Sequence, residues 1–457
     1  MSGTFVTVDP SNGSVLERFE RMTAAQVDAR LRSAAGAFTS WRRSSVDERV
    51  ALVRSIGAQL RSQRERLAAT AVREMGKPIG QALAEVDKCA ACCDFFATEG
   101  ARMLQPQPVP QRRGSSVAFR PLGVLLAIMP WNFPYWQVFR AVIPALIAGN
   151  AVLLKHADIT TRCGLEIEYL LRDAGAPDGL FSTLLVTDND TDEMIADPRI
   201  AAVTLTGSER AGSAVGRAAG AALKKCVLEL GGSDAFIVLA DADVDAAATT
   251  AVFARFQNNG QSCIAAKRFV VESAAYDPFL ERFVRLASAQ VVGDPANPTT
   301  QLGPCARADL RDAVAAQVRE SVAAGGRLAL GGGAIERPGF YFSPTIVCDP
   351  PPGSPMRERE VFGPAAAVIR ARDERDAIRI ANETDYGLGC SIWTKDVRRA
   401  ETLAAEIDAG MVFVNALVAS DPALPFGGVK RSGYGRELSY FGLHEFSNVQ
   451  SVVVAGD

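Results

Sequence analysis

From residue 121 almost to its end, the chain alternates short apolar runs with longer Ala-rich stretches of helical spacing, and no other feature narrows the fold as much. Runs rich in β-formers fall at 124–129, 151–154, 183–186, 202–206 and 226–230. Strands separated by helices pair in parallel, and the helices cover both faces of the sheet. Such strands read as continuous apolar runs because neither face meets water. After Gly231-Gly232 a second series begins, with runs at 235–239, 268–271, 367–369 and 411–414 and helical patterns at 243–256 and 373–382. The expected fold is therefore α/β, in two domains with a seam near Gly231-Gly232.

The first hundred residues read as helices after a short β start. Ser45-Val46-Asp47-Glu48 is a capping box, in which hydroxyl and carboxylate satisfy the free amides of a helix start. Val46, Val50, Val53, Ile56 and Leu60 follow on one apolar stripe. Two segments stay outside the scheme. The stretch 105–113 (QPQPVPQRR) carries three prolines and no apolar period, which fits a linker or an edge hairpin. The tail at 448–455 alternates into a β-like run without an obvious partner, and an unpaired apolar edge points to a subunit contact.

Composition excludes several classes of function. At 457 residues with 48% hydrophobic side chains, the chain is long enough for two or three domains and needs no covalent staples. Its 49 Lys+Arg against 52 Asp+Glu leave a net charge of −3, with no footprint for nucleic acid or an anionic membrane. Nine cysteines are an odd count without a secretory signal, which reads as reduced thiols. Only His156 and His444 could enter a His-rich metal site, so none is expected. The most apolar stretch, 121–155, is broken by Trp131-Asn132-Phe133-Pro134, Pro144 and Gly149-Asn150, and falls short of the ~18 uninterrupted residues of a spanning helix. A soluble, cytoplasmic protein is expected.

Three places could carry chemistry. Cys263 ends the polar, Gly-containing stretch 257–263, where a thiol is open to substrate rather than buried inertly in a helix. Cys89, Cys92 and Cys93, in an Ala-rich helical pattern, have the inert reading, as do Cys163, Cys226, Cys305, Cys348 and Cys390. Glu229 sits among apolar residues at the end of a β-run, where burial raises a carboxyl pKa towards that of a general base; an edge-strand Glu facing water fits the segment equally well. Gly207-Ser208 follows a β-run and opens a helix that includes Gly212, so free amides and the positive dipole end could bind phosphate.

The motifs then fall into one order: Pro130-Trp131-Asn132-Phe133-Pro134, Leu205-Thr206-Gly207-Ser208, Leu228-Glu229-Leu230-Gly231-Gly232, 257–263, Glu360-Val361-Phe362-Gly363-Pro364 and Pro425-Phe426-Gly427-Gly428-Val429-Lys430. Together they resemble the aldehyde dehydrogenase superfamily over essentially the whole chain. Trp136-Gln137, Lys155-His156-Ala157, Asn258-Asn259-Gly260-Gln261 and 430–437 are most similar to bacterial succinate-semialdehyde dehydrogenases.

The resemblance implies two Rossmann-like α/β domains plus a small β oligomerisation part. Residues 1–101 and 119–230 would bind NAD(P), 231–443 would be catalytic, and 102–118 with 444–457 would join subunits into a homodimer or homotetramer. It implies Cys263 as nucleophile, Asn132 and the Cys263 N–H as donors to the oxyanion, and Glu229 as the base that activates water. Trp131, Lys155, Asp158, Gly207, Ser208, Gly212, Glu360 and Phe362 would bind NAD or NADP, without a metal. Asp158 tilts the expectation to NAD, because a carboxylate accepts from a ribose 2′-hydroxyl and repels a 2′-phosphate. Arg140 would hold a distal carboxylate bidentately, with Gln257 and Ser420 beside it. Gln257 stands where several members have a second Arg, which also admits other small aldehydes. Ala265 stands where some relatives have a second Cys, so no disulfide switch is expected. His156 would pack near the adenosine end, and the mechanism needs neither histidine. The rival expectations are transfer of the acyl group to CoA, against which Glu229 argues, and a non-catalytic protein on the same scaffold.

Overall fold

The computed structural model describes residues 3–455. Its core is built on two sheets. The first has six strands in the order Gly433–Tyr434, Lys225–Glu229, Ile200–Thr206, Val124–Met129, Ala151–His156, Phe181–Leu184. The second has seven, in the order Arg327–Leu330, Thr345–Cys348, Ala365–Ala371, Arg268–Glu272, Ala235–Val238, Gly389–Trp393, Met411–Val414. All pairings are parallel except those of Gly433–Tyr434 and Arg327–Leu330, each an edge strand. Every residue of Val124–Met129 and of Ala151–His156 is buried, as a sheet covered by helices on both faces requires.

The alternation in the sequence located these strands with small errors. The run at 183–186 belongs to Phe181–Leu184, and 367–369 is the middle of Ala365–Ala371. In the second sheet three strands were missed: Arg327–Leu330, Thr345–Cys348 and Gly389–Trp393. The last, Gly-Cys-Ser-Ile-Trp, has weak local β preference and is a strand because both its neighbours and both its faces bury it. The C-terminal part also returns a strand to the first sheet, where Gly433 pairs with Glu229.

In the N-terminal region the capping box forms as read. Ser45 accepts from the Glu48 N–H, and the Glu48 carboxylate accepts from the Ser45 N–H at 2.7 Å. The stripe Val50, Val53, Ile56 and Leu60 is buried against helix Ile79–Met103 and its surroundings. The two segments left outside the scheme join one sheet. Gln107–Pro108 and Ser447–Val453 pair on opposite sides of Ser115–Pro121 in a three-stranded antiparallel sheet. Ser447–Val453 is its outer strand, with Val449 and Val453 exposed. Among the described residues no helix is long and apolar enough to cross a membrane.

Candidate active site

The loop before Cys263 is set by backbone geometry that most side chains resist. Asn258, Asn259 and Gly260 take φ of 54°, 59° and 72°, the left-handed region that Asn tolerates and Gly prefers. A Cβ on Gly260 would lie 2.4 Å from the Gly363 carbonyl carbon, so the loop also needs glycine for space. Its amides then serve as bolts. Asn259 donates to the carbonyls of Gly76 and Pro304 at 2.8 Å and accepts from the Gly303 N–H at 2.6 Å. Arg255, fully buried, donates to the carbonyls of Gly260, Ala266 and Gly363. Lys267, equally buried, donates to the carbonyls of Ser262 and Cys263. Cys263 emerges half-buried from this frame. Burial pushes its thiol up to about 11, and the nearby charges of Arg140 and Lys267 pull the other way.

Asn132 is tied to the same loop. Its Nδ2 donates to the Gln261 carbonyl at 3.0 Å, its carbonyl accepts from Asn258 Nδ2 at 2.7 Å, and Gln137 donates to its Oδ1 at 3.1 Å. The helix that follows, Trp136–Ala148, starts on a carboxylate from another helix. Glu85 accepts from the Tyr135 and Trp136 N–H groups at 2.9 Å each, two of the amides a helix start leaves unsatisfied. Its other oxygen pairs with Lys77, which is fully buried and lies over the Phe133 ring.

Cys263 opens into a cavity of about 180 Å³ shared with Arg140, Gln257, Ser420, Trp136, Phe426 and Lys88. Arg140 is 2% exposed and does not stand free: Nε is against the Glu437 carboxylate, Nη2 donates to Thr206 Oγ1 at 3.0 Å, and the guanidinium covers the Phe426 ring at 4.3 Å. Ser420 accepts from Lys88 Nζ at 2.7 Å.

Glu229 is 2% exposed, which removes the reading of a carboxylate facing water. It does not line the cavity. Neither carboxylate oxygen has a hydrogen-bond partner, and Oε1 lies 2.5 Å from where a Cβ on Gly427 would be. Burial, and then the charge of Glu437, raises its pKa well above the usual carboxylate range, against the pull of Arg140 and Arg436.

The candidate cofactor residues form a second set. Ser208 caps helix Glu209–Ala221 by accepting from the Ala211 N–H, at the carboxyl end of strand Ile200–Thr206. At Gly212 a Cβ would meet Leu230 at 2.5 Å, so this glycine lets helix and sheet approach. Lys155 Nζ lies 2.5 Å from Asp188 and 3.8 Å from the half-exposed Asp158. Glu360 accepts from the Gly232 N–H at 3.1 Å with Lys267 Nζ 3.6 Å away, and Trp131 meets Phe362 edge-on at 5.7 Å.

The histidines lie apart. Burial lowers His156 to about 4, between Pro134 O and Thr160 Oγ1, and His444 stacks on Phe119. All nine cysteines are free, and Cys89, Cys92 and Cys93 are fully buried with thiols pushed up by burial. Among the described residues, no three His, Cys, Asp or Glu side chains form a group that could hold a metal. Sequence reasoning missed Glu437, Lys267, Arg255, Glu85, Lys77 and Lys88. For Glu85 and Lys88 a signal existed: two charges one turn apart on the otherwise apolar face of 82–93.

These features agree with what the chain is similar to. Residues 1–452 match the model of the aldehyde dehydrogenase family. The succinate semialdehyde dehydrogenase [NAD(P)+] Sad of Escherichia coli (strain K12) is 47% identical over 448 residues, covering 98% of this chain and 97% of that protein. The succinate-semialdehyde dehydrogenase [NADP(+)] 1 of Mycobacterium tuberculosis is 45% identical over 453 residues, covering 98% of this chain and 99% of that one. The crystal structure of succinic semialdehyde dehydrogenase from Streptococcus pyogenes in complex with NADP+ superposes with a TM-score of 0.97 at 37% identity, covering 99% of this chain and 100% of that one. With its fold and nearly its whole length shared in this way, the chain belongs to the aldehyde dehydrogenase family.

Proposed function

We propose that the chain oxidises succinate semialdehyde to succinate with NAD+ or NADP+, through a thioester on Cys263. The observation that carries this reading is the cavity, which joins a loop thiol to apolar walls and a cationic lining, surroundings suited to a short aldehyde with a distal carboxylate. The names of the relatives support it.

The residues fit a dinucleotide. The helix start at Ser208 offers free amides, Gly207 has no neighbour closer than 3.5 Å to where a Cβ would be, and Lys155 and Glu360 offer a donor and an acceptor for ribose hydroxyls. What the dinucleotide supplies when bound is an acceptor for the hydride leaving the substrate carbon. The chain supplies the rest. Cys263 gives up its thiol proton to solvent and adds as the thiolate to the aldehyde carbonyl, and the oxyanion takes hydrogen bonds from Asn132 Nδ2 and the Cys263 N–H. Loss of hydride leaves a thioester. Glu229 takes a proton from water, whose oxygen attacks the thioester carbon, and the thiolate departs. For this Glu229 must turn from Gly427 towards Cys263.

The NAD preference expected from Asp158 gives way to a leaning towards NADP+, with NAD+ as the second cofactor. The relatives' names carry NAD(P)+ and NADP(+), and the neighbouring structure holds NADP+. Asp158 also has cations to offset it: Lys155 lies 3.8 Å away, and the charges of Arg21 and Arg307 reach it. The dinucleotide domain, the catalytic domain and the three-stranded part are read with the boundaries given above. The exposed strand Ser447–Val453 is read as the seam of a homodimer or homotetramer.

The test is NAD(P)H formation with succinate semialdehyde and with butanal, using each cofactor. A strong preference for the carboxylate-bearing aldehyde supports the reading; equal kcat/KM for the two aldehydes overturns the substrate.

A further inference from the structure

The cavity beside Cys263 contains a cation that the mechanism does not use. Lys88 comes from helix Ile79–Met103, with its Nζ 2.7 Å from Ser420 Oγ and 4.5 Å from the centre of the Trp136 ring. Among the described residues no carboxylate lies within ion-pair distance of it. The acidic residue one turn earlier, Glu85, is fully used by Lys77 and by the N–H groups of Tyr135 and Trp136.

Arg140, the other cation lining the cavity, differs in this respect. Its charge is met by Glu437 and one N–H is given to Thr206. A carboxylate arriving from the cavity would find Arg140 already neutralised. Gln257 adds no charge. Lys88 is the reverse: a half-buried ammonium beside aromatic and aliphatic side chains, with one N–H held by a hydroxyl. An unpaired charge in such a place is unfavourable until an anion joins it. Burial, and then the charge of Arg140, lowers its pKa to about 8, in line with a charge that lacks its counter-ion.

We infer that Lys88, with Ser420 as its neighbour, is the charged anchor for the distal carboxylate of the substrate, and that it sets the discrimination between carboxylate-bearing and uncharged aldehydes. This rests on the substrate reading above and names the residue that enforces it. The Lys88–Ser420 hydrogen bond orients the ammonium, and Trp136 holds it by cation–π attraction, so the anchor is formed before substrate arrives.

The experiment compares kcat/KM for succinate semialdehyde with that for butanal in wild type, Lys88→Met and Lys88→Arg. Loss of a charged hydrogen bond should lower the ratio of the two by about 10- to 100-fold in Lys88→Met, mainly through KM for the acid, and Lys88→Arg should restore most of it. If Lys88→Met does not fold, Lys88→Gln, which can still donate to Ser420, gives the same comparison. A wild type that prefers the acid and a Met or Gln variant that keeps the same ratio overturn the inference and leave the substrate reading standing. A wild type without preference overturns the substrate reading, and this inference with it.

Discussion

Glu229 and Glu437 are two fully buried carboxylates close enough that the charge of Glu437 is the second cause, after burial, of the raised pKa of Glu229. They are not equivalent. Glu437 lies against Arg140 and accepts from Thr204 at 3.3 Å, whereas neither oxygen of Glu229 has a hydrogen-bond partner. Glu229 is therefore the carboxyl whose pKa is raised with no hydrogen bond to offset its burial. A base with a raised pKa makes the rate of thioester hydrolysis rise with pH as it loses its proton. Glu437→Gln removes the repelling charge and frees the field of Arg140, and both effects lower the pKa of Glu229. The ascending limb of the pH profile should move to lower pH in this variant. A limb that stays in place or moves up would mean that the two carboxylates do not communicate.

Replacing Glu229 itself separates the two halves of the reaction. Glu229→Gln should still form the thioester, so pre-steady-state mixing should give a burst of NAD(P)H close to one equivalent of enzyme. Steady turnover should then fall by about 10²- to 10⁴-fold, the range for loss of a positioned base. Cys263→Ser should give neither burst nor turnover. A Glu229→Gln variant with no burst would assign Glu229 to the first half-reaction instead.

The buried pair Lys77–Glu85 links stability to the site. Glu85→Ala leaves Lys77 buried without a counter-ion and the N–H groups of Tyr135 and Trp136 without an acceptor. Removing one partner of such a pair costs about 3–5 kcal/mol. Urea unfolding should register that loss. Since Glu85 also fixes the start of the helix that follows Asn132, activity in the surviving folded fraction should fall as well.

The sequence made the fold legible wherever burial on both faces forces an apolar run, as at Val124–Met129 and Ala235–Val238. It failed at Gly389–Trp393, where the strand exists because of its neighbours. Within the site, Cys263 and Glu229 could be singled out because a thiol in a polar loop and a carboxylate in an apolar run are locally anomalous. Their regulators could not. Glu437 follows Arg436 in an unremarkable polar stretch, and only the pairing of Gly433 with Glu229 brings that segment back to the first sheet. The Lys155 and Glu360 assignments rested on the resemblance, since no local property marks a residue expected at a ribose, whereas Ser208 was also marked by its place between a β-run and a helix start.

Lys88 provides the last prediction, through pH. Its pKa of about 8 is lowered by burial first and by Arg140 second, with Cys89, Glu85 and Asp421 pulling it up. Below that value the ammonium is charged and can hold a carboxylate; above it the amine is neutral and the attraction disappears. KM for succinate semialdehyde should therefore be low and flat up to about pH 7 and climb through pH 8–9. The bound carboxylate itself favours the charged amine, so the rise in kcat should be unaffected by this group and the effect confined to KM. With butanal the same titration should leave KM unchanged, because there is no charge to hold. Lys88→Arg, whose guanidinium stays charged throughout, should flatten the rise. A KM that climbs equally for both aldehydes would trace the titration to the Cys263 environment rather than to the anchor.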